Sequence, residues 1–138
     1  MTTATFFVYG TLKAGQRNEH WWPVRPLRIE PAWVLGRLFG RSDYPAMVAG
    51  DDRVLGEIWW FREAQSDEVL VALDRLEGTN QPGEVDLYQR QSVAANSLQG
   101  RLLGAAMTYW YANDPVQDGF RYVRPDANGY ATWQAESW

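Results

Sequence analysis

Only one stretch of this chain carries the spacing of an amphipathic helix, and it lies in the middle of strand-like sequence. Ser66 stands as an N-cap, and Asp67 and Glu68 fall in the first turn, where the helix dipole favours negative charge. Val69, Leu70, Leu73 and Leu76 form the apolar stripe, and Gly78 supplies the stop. On either side the pattern is β-branched and aromatic. Thr5 to Tyr9 reads as a buried strand that stops at Gly10-Thr11. Trp33 to Phe39 reads as a second strand, and Pro45 to Ala49 as a short extended segment before a Gly50-Asp51-Asp52 turn. Val54 to Phe61 is apolar on both faces and therefore central, and Tyr88 to Ala95 and Leu102 to Tyr111 supply two more strands. Strands not separated by regular helices exclude a doubly wound parallel sheet. The expected class is α+β, a mixed β-sheet or small barrel with one main helix.

At 138 residues the chain has the length of one domain, with a core over about 5–111 and an aromatic tail over 112–138 that wraps over the body. The net charge of −4 and the absence of any basic run speak against nucleic acid. No apolar run reaches the ~20 residues of a membrane helix, and the first 15 residues lack the regions of a signal peptide, so a cytoplasmic protein with no membrane partner is expected. There is no Cys and one His, which leaves no thiolate or His-rich metal site and no cysteine nucleophile. Neither metal nor cofactor is expected.

Helix geometry directs attention to one carboxylate. At about 100° per residue from Val69, Leu73 falls near ~40°, Leu70 near ~100° and Glu77 near ~80°. Glu77 thus sits on the apolar face of the last turn, with Asp74 at its edge near ~140°. A carboxyl buried there has its pKa raised toward the range of proton transfer. The plainer alternative is that Glu77 swings out to water or pairs with an Arg. Glu57 shares a strand face with Leu55, Trp59 and Phe61 and is read as structural, a partner for an Arg such as Arg90. The turn Tyr9-Gly10-Thr11-Leu12 follows a buried strand, so its backbone N–H groups can hold a carboxylate or an oxyanion. It lacks the glycine spacing of a nucleotide-phosphate loop.

Taken together, Val8-Tyr9-Gly10-Thr11-Leu12-Lys13 with Gly15, Tyr44-Pro45-Ala46, Val54-Leu55-Gly56-Glu57, Leu73-Asp74-Arg75-Leu76-Glu77-Gly78 and Tyr88-Gln89-Arg90 resemble, in order, the gamma-glutamylcyclotransferase-like superfamily. Tyr-Gly-Thr-Leu-Lys looks closer to its gamma-glutamylamine cyclotransferase and bacterial YtfP-like branch than to the glutathione-specific members. The resemblance implies a cavity at the mouth of the sheet. It implies Glu77 as catalytic acid/base, the loop Tyr9, Gly10, Thr11 and Leu12 as substrate donors, and Tyr88, with Tyr44, as cavity wall. The reaction it implies is cyclisation of a γ-glutamyl amide or peptide to 5-oxoproline, with release of an amine or amino acid.

Two segments depart from the family pattern. Asn18-Glu19-His20-Trp21-Trp22 is bulkier than expected, and the tail after Pro115 carries Phe120, Tyr122, Tyr130, Trp133 and Trp138, which would cap the pocket or form a homodimer contact. His20 reads as a surface residue. Two other readings stand beside the enzyme. One is a small-molecule binding or regulatory module of the same fold. The other is an aromatic carbohydrate-binding domain, suggested by the 8 Trp alone. Tyr111 joins Tyr9, Tyr44 and Tyr88 as a further candidate for the cavity wall.

Overall fold

The structure is a computed structural model that describes residues 3–79, 81–83 and 85–134. In chain order it contains β1 (Thr3–Val8), β2 (Arg28–Gly40), β3 (Pro45–Arg62), α1 (Ser66–Glu77), β4 (Tyr88–Ser97), β5 (Leu102–Tyr111), β6 (Arg121–Tyr122) and β7 (Tyr130–Ala131). All seven strands join one mixed sheet in the order β6-β2-β4-β5-β1-β3-β7, and β2 also pairs with β3. The pairs β1–β5 and β3–β7 are parallel and the others antiparallel. The expected mixed sheet with one main helix is what forms.

Alternation along β1 divides the core. Phe6 and Val8 join the cluster that contains Val69 and Leu73 of α1. Phe7 points the other way and, with Tyr9 just past the strand, packs among Val34, Leu38, Met47 and Ile58. Phe6, Phe7 and Val8 are therefore buried on both faces of the strand. Thr108 donates its hydroxyl proton to the Phe7 carbonyl at 2.9 Å, which pins the short parallel joint between β1 and β5.

The structure corrects three local expectations. Pro45–Arg62 is one continuous strand rather than two segments. The register shifts between Gly36 and Arg37, where Asp52 faces Gly36 and Val48 faces Arg37, so Ala49, Gly50 and Asp51 form an irregularity in the ladder and not a chain reversal. Ser66 is already helical (φ −60°, ψ −42°), because a 3₁₀ turn over Glu63–Gln65 precedes it and leaves Gln65 at the cap position. The core also extends past residue 111. Phe120 is buried in the helix-side cluster, and Trp133 in the opposite one, so the tail completes both.

Candidate active site

Site geometry starts with two chain breaks. β1 ends at Val8, and the chain turns through Gly10 against the ring of Pro45. A Cβ at Gly10 would stand 2.5 Å from Pro45 Cγ, so any larger residue would push the loop away from β3. α1 ends at Gly78, which takes the left-handed conformation (φ +66°). The Thr79 N–H donates to the Asp74 carbonyl at 2.8 Å, and the Leu87 N–H to the Gly78 carbonyl at 3.0 Å. The buried Thr79 hydroxyl donates to the Tyr88 carbonyl at 2.5 Å. The last turn of α1 is thereby tied to the start of β4, which brings Glu77 beside Tyr88.

These two breaks face a single cleft. It is lined by Glu77, by Tyr9, Gly10, Thr11 and Leu12, and by Tyr44 and Tyr88, the residues to which the family resemblance assigns a catalytic or substrate-binding place. The Tyr88 hydroxyl donates to the Pro45 carbonyl at 2.6 Å and joins the two walls. Burial pushes the Tyr88 phenol far above its ordinary range, so it stays protonated and keeps that bond. Tyr9, also raised by burial and by the nearby Glu77, donates to the Tyr109 carbonyl at 2.5 Å.

Glu77 keeps part of its surface open to the cleft while its carboxyl is desolvated. Desolvation alone raises its pKa from 4.5 to about 7. Among the described residues no ion pair or hydrogen bond offsets that cost. The N–H groups of Thr11 and Leu12 likewise make no hydrogen bond to a described residue, although Leu12 is buried. The cleft therefore joins a carboxyl poised to exchange a proton near neutrality with backbone donors that have open valences. That pairing suits acid/base work on a group that develops negative charge on oxygen.

Other candidates lie elsewhere. Glu57 is structural, but its partner is not Arg90; its Oε1 accepts from the Ala14 N–H at 2.8 Å and from Trp59 Nε1 at 3.1 Å, and so fixes the loop after Leu12. Arg90 instead donates to Asp74 Oδ2 at 2.5 Å, while Tyr109 donates to Asp74 Oδ1 at 2.7 Å. Tyr111 does not line the cleft but bonds to Asp118 at 2.6 Å. His20 is exposed and packs on Trp21, 5.3 Å between centroids, outside the cleft. Trp22 is core: it stacks on Trp59 at 4.5 Å and donates to the Leu12 carbonyl at 3.0 Å. No described tail residue lines the cleft, and Trp138 lies outside the described residues. Trp21 is the only large exposed tryptophan among the described residues, 56% accessible, so there is no platform of coplanar exposed rings for a sugar.

Sequence reasoning missed Arg17 and Tyr109, which also line the cleft, together with Asn18, the first residue of the bulky stretch. Alternation along β5 offers a signal for Tyr109, since it shares a face with Tyr111 and Met107. Arg17 and Asn18 sit in a loop where no periodicity marks them.

The family model described as gamma-glutamyl cyclotransferase, AIG2-like, matches residues 6–134. The gamma-L-glutamyl-butirosin B gamma-glutamyl cyclotransferase of Niallia circulans is 33% identical over 110 residues, covering 78% of this chain and 67% of that protein. Among solved structures, an aig2-like protein from Mus musculus is 26% identical, with a TM-score of 0.65 over 88% of this chain and 86% of that one. YkqA from Bacillus subtilis shares the fold at 24% identity and a TM-score of 0.58 over 80% of this chain. This chain spans about a third of YkqA's length, 36%. The chain belongs to the gamma-glutamyl cyclotransferase, AIG2-like family.

Proposed function

We propose that this protein, acting as a single domain, cyclises a γ-glutamyl amide to 5-oxoproline and releases the amine, with Glu77 as general base and then general acid. The observation that carries this reading is the placement of a desolvated, unpartnered Glu77 carboxyl in the same cleft as the open N–H groups of Thr11 and Leu12. The family and the Niallia circulans relative's name support it.

The chemistry is intramolecular. Glu77 takes a proton from the substrate's α-ammonium, and the freed nitrogen attacks the γ-carbonyl carbon. A five-membered ring closes, and the carbonyl oxygen becomes an oxyanion facing the Thr11 and Leu12 N–H groups. The bond from that carbon to the leaving nitrogen then breaks as Glu77 returns its proton to that nitrogen. The ring nitrogen, which still carries two hydrogens, passes one through Glu77 to the released amine, leaving a neutral lactam and an ammonium. Atoms and charge balance without a nucleophilic side chain. Holding amine and carbonyl in one cleft supplies orientation, and one carboxyl with a pKa near 7 serves these transfers.

A panel of γ-glutamyl amines, γ-glutamyl dipeptides and glutathione, assayed for 5-oxoproline, tests the reaction. Glu77→Gln should lower kcat by roughly 10²–10⁴-fold on any active substrate and leave ligand binding intact. Undiminished turnover in that variant removes Glu77 from the mechanism. Binding of γ-glutamyl compounds without turnover by the wild-type protein would replace the enzyme with a binding module.

A further inference from the structure

We infer that Arg17 selects the charge of the leaving group, favouring γ-glutamyl amides whose leaving amine carries a carboxylate. This rests on the cyclotransferase reading above and extends it to the outer end of the same cleft.

Arg17 is the only cationic residue among the described residues that line the cleft. Lys13, the basic residue of the motif loop, is turned away, and its ammonium donates to the Trp133 carbonyl at 3.2 Å. Arg17 makes no ion pair or hydrogen bond with a described residue, whereas Arg28, Arg41 and Arg90 are held by Glu30, Asp43 and Asp74. Its guanidinium is therefore open to a ligand.

Backbone bonds fix where it stands. The Asn18 N–H donates to the Thr11 carbonyl at 3.0 Å, and Asn18 Nδ2 donates to the Thr11 hydroxyl at 3.0 Å. The Gln16 N–H donates to the Lys13 carbonyl at 3.0 Å, and the Ala14 N–H is held by Glu57. Residue 17 is thus clamped to the same loop that offers its N–H groups to the cleft.

The geometry of the reaction sets the direction of the substrate. Ring closure requires the α-amino group and γ-carbonyl at Glu77 and the loop N–H groups, which occupies the desolvated end. The leaving portion then points toward the exposed end, where Arg17 stands. The other described lining residues of the cleft include Leu12, Leu76, Leu87, Tyr44 and Tyr88, and Glu77 is the only acidic one. A guanidinium on an otherwise uncharged wall attracts a carboxylate in a bidentate fork and repels an ammonium. Because Arg17 is solvent-exposed, the effect is modest, about two- to fivefold.

The test compares γ-glutamylalanine with γ-glutamylethylamine, which differ only by the leaving-group carboxylate, in 5-oxoproline release by the wild-type protein, Arg17→Ala and Arg17→Glu. The wild type is expected to prefer γ-glutamylalanine by about two- to fivefold in kcat/KM, mainly through KM and less so at high salt. Arg17→Ala should level that ratio and Arg17→Glu should invert it. A ratio unchanged in both variants overturns the inference. So does an equal loss on both substrates, since Arg17 would then serve the shared glutamyl part. If the wild type turns over neither compound, this inference falls, and the cyclotransferase reading falls with it only where the wider panel of γ-glutamyl compounds is also inert.

Discussion

The carboxyl of Glu77, with a pKa near 7 in the fold against 4.5 for a solvated glutamate, binds a proton that the unfolded chain has already released between those values. The folded-state pKa is the higher one, so the stabilising effect of that proton is fully present below about 4.5 and is lost as pH rises to about 7. The span corresponds to about 3 kcal/mol. Above pH 7 the fold carries a desolvated carboxylate without a counter-ion. Glu77→Gln should therefore be the more stable protein at pH 8, by up to about 3 kcal/mol, and the gap should close toward pH 4.5. Urea denaturation of both proteins across that range measures it, and a gap that does not change with pH would place the carboxyl in water. Activity should run the opposite way. In the proposed reaction the base form accepts the ammonium proton, so kcat/KM of the wild type should fall as pH drops through about 7. Its position on the apolar face was legible from the spacing of Val69, Leu70 and Leu73. Whether it paired with an Arg was not, because that depends on Arg90 reaching Asp74, a contact between elements 16 residues apart in sequence.

At the scale of elements, delivery of Glu77 depends on how α1 stops. Gly78 takes a left-handed φ of +66°, and a Cβ there would stand 3.2 Å from Leu87 Cβ. Gly78→Ala should cost about 1–2 kcal/mol of stability from backbone strain. Because the Gly78 carbonyl anchors Leu87, a cleft residue, kcat/KM should fall further than the stability loss explains. The joint of α1 to β4 and β5 is the other support. Asp74 accepts from both Arg90 and Tyr109, and its side chain is 14% accessible against 26% for Arg90. Asp74→Ala leaves a half-buried guanidinium unpaired and should cost about 1–3 kcal/mol by thermal or urea denaturation. Retained stability in that variant would mean that the pair is no more than a surface contact. The extents of α1, β4 and β5 were readable because propensity and period agreed there. β3 was not, because Gly50-Asp51-Asp52 has the composition of a reversal. What decides between turn and bulge is the partner strand, whose Gly36 and Arg37 absorb the extra residues.

Across the whole molecule, the two segments that looked like departures from the family turn out to close the core. Trp22 seals the helix-side cluster from a loop, because its indole N–H finds the Leu12 carbonyl and its ring finds Trp59. Neither condition is visible in a window of sequence around Trp22. The tail does the same from the far end. β6 pairs with β2 and β7 with β3, Phe120 lies against Tyr44 at 5.7 Å, and Trp133 is buried on the opposite side of the sheet. Two-residue strands carry too little periodicity to be read in advance. Trp133 is 1% accessible, its Nε1 donates to the Arg41 carbonyl at 2.8 Å, and Arg41 in turn lies over Phe120 and Tyr44. The tail is thus coupled to one wall of the cleft through Arg41. Trp133→Ala should destabilise the fold by about 3–5 kcal/mol, from lost burial and the cavity left behind. Trp133→Phe, which keeps most of the ring and loses the hydrogen bond, should cost only about 1–2 kcal/mol. Phe120→Ala should cost a similar 3–5 kcal/mol and, because that ring touches Tyr44, should also raise KM in the fraction that remains folded. Urea denaturation ranks the three variants, and steady-state kinetics at low temperature isolates the KM effect. Near-wild-type stability of Trp133→Ala would return the tail to the surface and restore residue 111 as the end of the core.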